Sequence, residues 1–410
     1  MEYRTSKLFF SSELFRPDRF YRNSSGQKIM KIVLIGPAYP IRGGNALFIA
    51  YLYEALTATN DVHVISFSRL YPGFLFPGVR QTDVSGAAIK EHPAAHIIDC
   101  LNPLTWWKAA RVAAALNPDM LVFTWWNPFF GFIVRTIASE FKRRTKKPVI
   151  IIAENVISHE GRWIDLFLTK TALRTANCFL VLSGIVEENI RQLFPAIKIF
   201  RSSLPIYDCY QMTERLTQQQ AQQRLGLEGK NVLLFFGYVR KYKGLMNLIE
   251  ALPLILEKVG NAHLLIVGEF YDDPQPYLNT IRRLGLEKNV TIMNEYVANE
   301  TVHLYFTATN LAVLPYNEAT QSGILSIAYG FAKPVVVTNV GGLAELVNDG
   351  GTGYIVPPHD ITKLANVIIR YFKDNHEQSF SRNIEAKKQE NSFHNIRNIF
   401  DTIQKDLQKI

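Results

Sequence analysis

The chain of 410 residues is 48% hydrophobic, and its three cysteines, Cys100, Cys178 and Cys209, lie far apart. This length is typical of two globular domains, and three scattered cysteines indicate neither a disulfide framework nor a zinc site, which favours a reducing compartment. No apolar run in the sequence approaches the ~18–20 residues of a membrane-spanning helix. These features argue against a small disulfide-stabilised domain and against a helical membrane span.

The net charge of +9 is unevenly distributed. Residues 30–205 hold 19 Lys and Arg against 12 Asp and Glu, whereas residues 206–410 hold 20 against 21. A basic run, KRRTKK at residues 142–147, is compatible with anionic lipid, nucleic acid or phosphorylated substrates. It is equally compatible with a solvated helix end, because Lys and Arg favour the last turn of a helix. Nucleic acid is the weakest of these partners, since no recognition motif is present.

Residues 1–29 show no clear periodicity, and Met30 directly precedes the first strong strand, so we predict that residues 1–29 are an extension or a misassigned start. From there, apolar runs alternate with helical patterns, which predicts a parallel sheet covered on both faces. The strands of this first series are predicted at residues 31–36, 61–67, 119–123, 149–156 and 178–184.

The pattern loosens between residues 204 and 230, and a second strand–helix series follows. Its strands are predicted at residues 231–237, 263–270, 290–296, 311–314 and 334–338, and an amphipathic helix ends the chain at residues 392–410. The predicted fold class is therefore α/β, with two Rossmann-like parallel-sheet domains and a closing helix. The predicted boundaries are residues 30–205, 206–390 and 391–410.

Three loops follow strands and precede helices, which is where ligands bind in parallel sheets. The first, residues 36–44, ends in Gly43 and Gly44, and two glycines let a backbone approach a ligand or serve a tight turn. The spacing is not GxGxxG, so a dinucleotide fingerprint is not supported. The second, residues 237–244 (GYVRKYKG), holds three basic side chains, which favours an anion over purely solvated charge.

The third loop lies in the stretch Leu311–Glu345, where residues 317–323 (NEATQSG) feed a helix. Unpaired amides at the start of a helix, at the positive end of its dipole, suit a phosphate, although an ordinary capped turn fits the same pattern. The backbone amides of Gln321, Ser322 and Gly323 are the predicted contacts.

Through these loops and the terminal helix, the chain from Met30 onward resembles the retaining GT-B glycosyltransferases of glycosyltransferase family 4. The resemblance implies two Rossmann-like domains facing across a cleft, a nucleotide-sugar donor in the second domain and a last helix that crosses back to the first. It implies that Lys243 contacts the donor diphosphate. The family has an arginine directly after the loop glycine, where this chain has Tyr238, so its role is assigned to Arg240.

The resemblance also exposes departures. The family carries two Glu separated by seven residues; Glu318 matches the first, near the donor sugar, and Ser326 stands where the second would hold the ribose. A histidine of the first domain is replaced by Glu154, with His159 five residues on as the candidate substitute or an incidental loop residue. The predicted catalytic residues are Glu318, Arg240, Lys243 and His159. The predicted donor-binding residues are Gly43, Gly44, Thr320, Gln321, Ser322, Gly323, Ser326 and Asn294.

Two tryptophan pairs, Trp106–Trp107 and Trp125–Trp126, suit sugar stacking, membrane docking or core packing. Asp272–Asp273 precedes a proline and is better interpreted as a turn than as a metal site. No cluster has convincing metal spacing, and no metal or other cofactor is expected.

The resemblance implies a retaining glycosyltransferase that moves a sugar from a nucleoside-diphosphate-sugar to an acceptor, expected to be a glycan or lipid-linked glycan of the cell envelope. A cytoplasmic location is expected, with peripheral contact to an anionic membrane at its inner face. Two alternatives remain open at this point. One is a nucleotide-sugar epimerase or sugar-phosphate synthase of the same fold, and the other is a non-catalytic nucleotide-sugar- or membrane-binding protein.

Overall fold

The computed structural model describes residues 29–73, 80–86, 89–156, 163–210, 216–388 and 390–407. The predicted extension over residues 1–29 lies almost entirely outside this part of the chain. Within it, the strands form two parallel sheets with helices packed on both faces, which confirms the predicted α/β class.

The first sheet has seven strands in the described residues, in the order β3-β2-β1-β4-β5-β6-β7. Its strands are β1 Lys31–Ile35, β2 Asp61–Arg69, β3 Ala95–Asp99, β4 Met120–Trp125, β5 Val149–Ala153, β6 Cys178–Val181 and β7 Lys198–Arg201. The helices between them are α1 Gly44–Thr57, α2 Pro103–Ala115, α3 Gly131–Thr145, α4 Trp163–Leu173 and α5 Gly184–Leu193.

The second sheet has six strands in the same part of the chain, in the order β10-β9-β8-β11-β12-β13. Its strands are β8 Asn231–Phe236, β9 Ala262–Val267, β10 Val290–Met293, β11 Leu311–Leu314, β12 Val335–Thr338 and β13 Gly353–Val356. Its helices are α6 Gln218–Arg224, α7 Leu245–Lys258, α8 Gln275–Arg283, α9 Asn299–Ala308, α10 Gly323–Gly330, α11 Ile361–Lys373 and α12 Glu377–Lys387, and α13 Phe393–Leu407 ends the described chain.

Each sheet is buried on both faces because neighbouring residues of a strand point to opposite sides. In β1, Ile32 and Leu34 join the core that contains α1 and α13, while Val33 and Ile35 join the core beneath α2 to α5. This two-sided burial explains the continuous apolar runs in the sequence.

Several predicted strands end earlier than their apolar runs. β9 ends at Val267 rather than residue 270, because Gly268 takes φ 135 and turns the chain away from the sheet. β5 ends at Ala153 rather than residue 156. In both places the residues that leave the sheet enter loops at its carboxyl edge.

The closing helix crosses back to the first domain, as predicted. α13 packs on α1, with the ring of Phe393 stacked on that of Tyr51 at 4.7 Å and tilted against that of Phe48 at 5.6 Å. The two passages of the chain between the domains lie side by side, because the Ile206 amide donates to the carbonyl of Asn391 at 2.9 Å.

Candidate functional site

A cleft of about 460 Å³ separates the two domains and is lined by both. Because the helices follow their strands, the loops that line it lie at the carboxyl edges of the two sheets. The first domain contributes mainly residues 39 and 41–44, with Asp83 and Asn155, and the second contributes residues 236–238, 242–243, 268–269, 295–297, 299, 316 and 319–324.

The glycine loop of the first domain presents bare backbone to the cleft. Gly43 takes φ 115 and precedes α1, which has no side-chain cap. A Cβ added at Gly43 or Gly44 would meet no atom within 4 Å. The first amides of α1 therefore face an open space at the positive end of the helix dipole.

The basic loop of the second domain buries one of its cations. Residues Lys241–Lys243 form a 3₁₀ turn, and the Lys243 side chain folds inward until only 8% of the residue is exposed. Its Nζ lies 5.6 Å from the centre of the Tyr316 ring. Burial, reinforced by the charge of Arg240, lowers the pKa of Lys243 to about 8. An anion that enters the cleft would stabilise the charged form of a lysine held in this way.

Hydrogen bonds tie this loop to the loop that precedes α10. The Asn317 amide donates to the Tyr242 carbonyl at 2.6 Å, and the side chain of Asn247 donates to Asn317 Oδ1 at 2.9 Å. Gly244 takes φ 65 at the crossing point, where a Cβ would lie 1.9 Å from the carbonyl oxygen of Pro315. The second domain therefore holds Lys243 and the start of α10 in a fixed relation.

The start of α10 is braced from its other side by the Gly341–Gly342 turn. The Gly342 amide donates to the Thr320 carbonyl at 3.0 Å, and a Cβ on Gly341 would lie 1.7 Å from the carbonyl oxygen of Ala319. Ser322 precedes the helix without capping it through its side chain. Thr320, Gln321, Ser322 and Gly323 all line the cleft, with the uncapped amides beside them.

Polar contacts join the two domains across the cleft. Arg42, next to the glycine pair, donates to Glu269 Oε2 at 2.9 Å and lies over the ring of Tyr296 at 4.5 Å. Asp83 accepts hydrogen bonds from Asn299 Nδ2 at 2.6 Å and from the Tyr296 hydroxyl at 3.1 Å. The structure thus shows the two walls in direct contact.

Seven of the predicted site residues lie together in this cleft. They are Gly43, Gly44, Lys243, Thr320, Gln321, Ser322 and Gly323.

The other predicted residues lie elsewhere. Arg240 is half-buried with its guanidinium 5.1 Å over the ring of Tyr271, and Glu318 is exposed beside the cleft, its amide 3.4 Å from the Tyr242 carbonyl. Ser326 is fully buried within α10, and Asn294 is exposed and accepts from the Phe270 amide at 3.0 Å. His159 lies outside the described residues.

Sequence reasoning assigned no role to several residues of the first domain and of the contacts across the cleft. Arg42 and Glu269 were not singled out, although Arg42 directly precedes the glycine pair. Glu154 and Asn155 follow β5, and Glu154 Oε1 and Asn155 Oδ1 are buried without a hydrogen-bond partner among the described residues. Burial raises the pKa of Glu154 to about 8. The signal for Glu154 was its position, where the resembling family has a histidine.

In the described part of the chain, no group of three or more His, Cys, Asp or Glu side chains is arranged to hold a metal ion. None of its helices combines the length and the apolar character that crossing a membrane requires.

Residues 230–374 match the family described as "Glycosyl transferases group 1". The D-inositol 3-phosphate glycosyltransferase of Corynebacterium aurimucosum is 30% identical over 200 residues, which are 44% of this chain and 47% of that protein. The alpha-D-kanosaminyltransferase of Streptomyces kanamyceticus is 24% identical over 226 residues, 54% of this chain and 56% of that protein. The matches thus span about half the length of these curated relatives.

Solved structures share the fold over nearly the whole chain. Sucrose-phosphate synthase from Thermosynechococcus elongatus has a TM-score of 0.70 at 20% identity, covering 93% of this chain and 99% of its own. HepE from Anabaena, solved in complex with UDP, has a TM-score of 0.70 at 18% identity, covering 93% and 100%. The predicted two-domain GT-B fold and the resemblance to glycosyltransferases are confirmed.

Proposed function

We propose that this GT-B chain, whose second domain matches the glycosyl transferases group 1, is a retaining glycosyltransferase that uses a nucleoside-diphosphate-sugar donor. The observation that carries the proposal is the buried cation Lys243 beside the uncapped start of α10, facing the bare glycine loop of the first domain in one cleft. These are the groups that a diphosphate requires, and they converge from both domains.

The chemical task is to stabilise a diphosphate leaving group as the glycosidic bond breaks. Lys243 and the amides at Gln321 to Gly323 supply positive potential where that charge develops, and one well-placed donor of this kind is worth roughly 3 kcal/mol. Arg240 adds positive potential from the same loop, since its charge already acts on Lys243. The proposal assigns the neutralisation of the phosphates to these protein groups and requires no metal.

The protonation states of Lys243, which lines the cleft, and of Glu154, which directly precedes the cleft residue Asn155, suit this task at neutral pH. With a pKa of about 8, Lys243 is mainly charged, while Glu154, also with a pKa of about 8, is mainly neutral. A neutral carboxyl group can donate a hydrogen bond to a sugar hydroxyl from the side where the resembling family has a histidine. Glu318 keeps its proposed role of orienting the donor sugar, which requires it to turn inward from its exposed position.

Support for the donor class comes from the structural neighbours. HepE was solved in complex with UDP-glucose, and that structure covers 93% of this chain with a TM-score of 0.69. The proposed acceptor is a glycan or a lipid-linked glycan of the cell envelope, handled by the basic first domain in the cytoplasm at the inner face of the membrane. Domain closure about residues 205–211 and 391–395 would assemble the site around both substrates.

The first test is a thermal-shift screen of the full chain with UDP-, GDP- and ADP-sugars. A donor present at 100 times its Kd stabilises the folded state by about 2.7 kcal/mol, so the correct nucleotide raises Tm measurably. NMR of the product formed from that donor should show transfer with retention of the anomeric configuration. Epimerised donor without transfer would favour an epimerase, and binding with neither transfer nor hydrolysis over a broad acceptor pool would favour a binding protein.

A further inference from the structure

The four tryptophans noted in the sequence have different environments. Trp125 is buried, Trp106 donates its indole N–H to the Asp99 carbonyl at 2.7 Å, and Trp126 donates to the Tyr71 hydroxyl at 3.0 Å. These three pack within the first domain. Trp107 is 45% exposed, and it belongs to a larger exposed set.

Seven large apolar side chains of the first domain are exposed on three neighbouring helices. α2 packs on α3, and α3 packs on α4. The most exposed member, Trp163, has 82% of its surface open. We call this set the apolar tip; it comprises Leu104, Trp107, Phe132, Trp163, Ile164, Leu166 and Phe167.

The apolar tip lies at one end of its helices. Every member falls within the first two turns of α2, α3 or α4. In a parallel sheet, each of these helices starts at the carboxyl edge of the strand before it, which is also the edge that carries the cleft loops. The tip and the cleft therefore share one edge of the first domain.

Exposed basic residues follow the tip farther along two of these helices, α2 and α3. On α2, Lys108 and Arg111 continue the exposed side that begins with Leu104 and Trp107. We call the whole set the basic band; it comprises Lys108, Arg111, Arg135, Arg143 and Arg144.

Acidic residues offset the basic band only in part. α2 contains no acidic residue. On α3 the only one is Glu140, which is buried and accepts from Arg143 and Arg144 at 2.8 Å and 2.5 Å. On α4 it is Asp165. The three helices therefore carry a net positive charge.

The arrangement identifies the partner. Aromatic and aliphatic side chains occupy about the first 6 Å of each helix, and cations follow along the axis of α2 and α3. An anionic bilayer has these two layers, because apolar groups insert roughly 5–10 Å into its interface and cations meet its headgroups. A protein interface instead surrounds an apolar centre with a polar rim.

We infer that the apolar tip inserts into an anionic lipid bilayer while the basic band contacts its headgroups, which places the cleft edge of the first domain at the membrane surface. This surface is separate from the donor cleft, and the inference stands whether or not a sugar is transferred. The inference assigns membrane contact to residues of three helices, most of them on α4, and not to the two tryptophan pairs.

Co-sedimentation of the full chain with vesicles tests the inference. We expect binding to phosphatidylcholine vesicles containing about one third phosphatidylglycerol, weak binding to pure phosphatidylcholine, and loss of binding as salt rises. The double variant Trp163→Ser/Phe167→Ser should bind at least tenfold more weakly. The triple variant Lys108→Glu/Arg111→Glu/Arg135→Glu should lose the difference between the two vesicle types.

Matched controls come from the second domain. Leu254 is 42% exposed on α7, and Leu254→Ser should leave binding unchanged. The exposed residues Arg283, Lys288 and Lys363, changed together to Glu, make the same change of net charge outside the band and should reduce binding much less. All variants should keep the wild-type Tm and the wild-type response to donor, which separates a failed docking surface from a failed donor site.

Three results would overturn the inference. The first is equal vesicle binding by wild type and the tip variant. The second is a concentration-dependent dimer that only the tip variant abolishes, which would assign the tip to a second copy of the chain. The third is vesicle binding that is lost on deletion of residues 1–28 but retained in the tip variant.

Discussion

The two domains share a strand order but build their halves of the cleft differently. In the second domain, loop glycines pack directly against neighbouring backbone: a Cβ on Gly244 would lie 1.9 Å from Pro315 O, on Gly268 2.4 Å from Gly237 O, and on Gly341 1.7 Å from Ala319 O. In the first domain, a Cβ on Gly43 or Gly44 would meet no atom within 4 Å. The second domain's loop glycines are fixed by packing on backbone, whereas Gly43 and Gly44 border open space, even though residues 40–42 of their loop are hydrogen-bonded to residues 81–83.

The family match falls on the domain with the packed loops. It covers residues 230–374, which lie within the second domain. Where a Cβ on Gly244, Gly268 or Gly341 would collide with backbone, the position requires glycine. Gly43 and Gly44 border open space, so packing alone does not fix the residue type there.

The largest effect is expected from removing Lys243, the buried cation of the second domain's wall. Lys243→Ala should lower turnover roughly 100- to 1,000-fold while the fold survives, because it removes the buried charge that we propose stabilises the leaving diphosphate. Lys241→Ala, on the same turn but exposed, is the matched control and should change turnover less than about threefold. Steady-state kinetics with the identified donor measure both. Equal rates for wild type and Lys243→Ala would remove the lysine from the mechanism.

The second prediction tests the packing of that wall. Gly341→Ala should destabilise the fold by about 3 kcal/mol and reduce donor binding, because its Cβ collides with the backbone that leads to Thr320. Gly350 also takes a positive φ, 72, but has open space, so Gly350→Ala should cost only about 1 kcal/mol. Urea unfolding and donor titration compare the pair, and similar costs for both would show that the turn does not brace the cleft.

The third prediction concerns the pH dependence of donor affinity. Lys243 has a pKa of about 8 in the free protein, and a bound diphosphate favours its charged form, so binding takes up a proton above that pH. The Kd of the nucleotide should be flat near pH 7 and rise up to about tenfold per unit above pH 8. Calorimetry in buffers of different ionisation enthalpy measures the proton uptake. In Lys243→Arg, which stays charged, a persisting rise would locate the titration elsewhere.

The smallest effect is expected from the first domain's buried acid. The pKa of Glu154 is about 8 in the folded state against 4.5 for an ordinary Glu, so the folded state retains a proton that the unfolded state loses. Folding stability therefore falls as pH rises from about 4.5 to 8, and this loss is complete above 8. Glu154→Gln should be neutral at pH 4.5 and stabilising by about 1–2 kcal/mol at pH 8.5. Glu188→Gln, at an exposed site on α5, should show no such difference; a matching profile would contradict the assignment.

Sequence patterns predicted the centres of both sheets and missed three of their edges. β3, β7 and β13 were absent from the prediction, and each lies at the end of its sheet. An edge strand is covered on fewer sides, so its sequence need not be a continuous apolar run: β7, Lys198–Arg201, has charged residues at both ends. Sheet order, which depends on contacts far apart in the chain, follows only from the structure.

For the site, too, features set by local sequence could be predicted, and features set by contacts between distant residues could not. The anion preference of the basic loop that holds Lys243 followed from its place after a strand, because loop position is a local property, whereas the burial of Lys243 was not predicted. The contact between Arg42 and Glu269 joins residues 227 positions apart, and no local pattern indicates it. Glu318 was assigned by resemblance, and its exposed position depends on the surrounding loops, which the residue type does not specify.

The position of α13 affects how the chain acquires its fold during synthesis. Phe393, Ile396, Phe400 and Ile403 complete the core around α1, yet they are made after the whole second domain. Until they emerge, the inner face of the first domain, with Phe48 and Tyr51, lacks its cover. The second domain is therefore synthesised completely before the core of the first domain can be completed. A chain that ends at residue 390 should bind a chaperone through the uncovered face of its first domain, although the strands of that domain are already present.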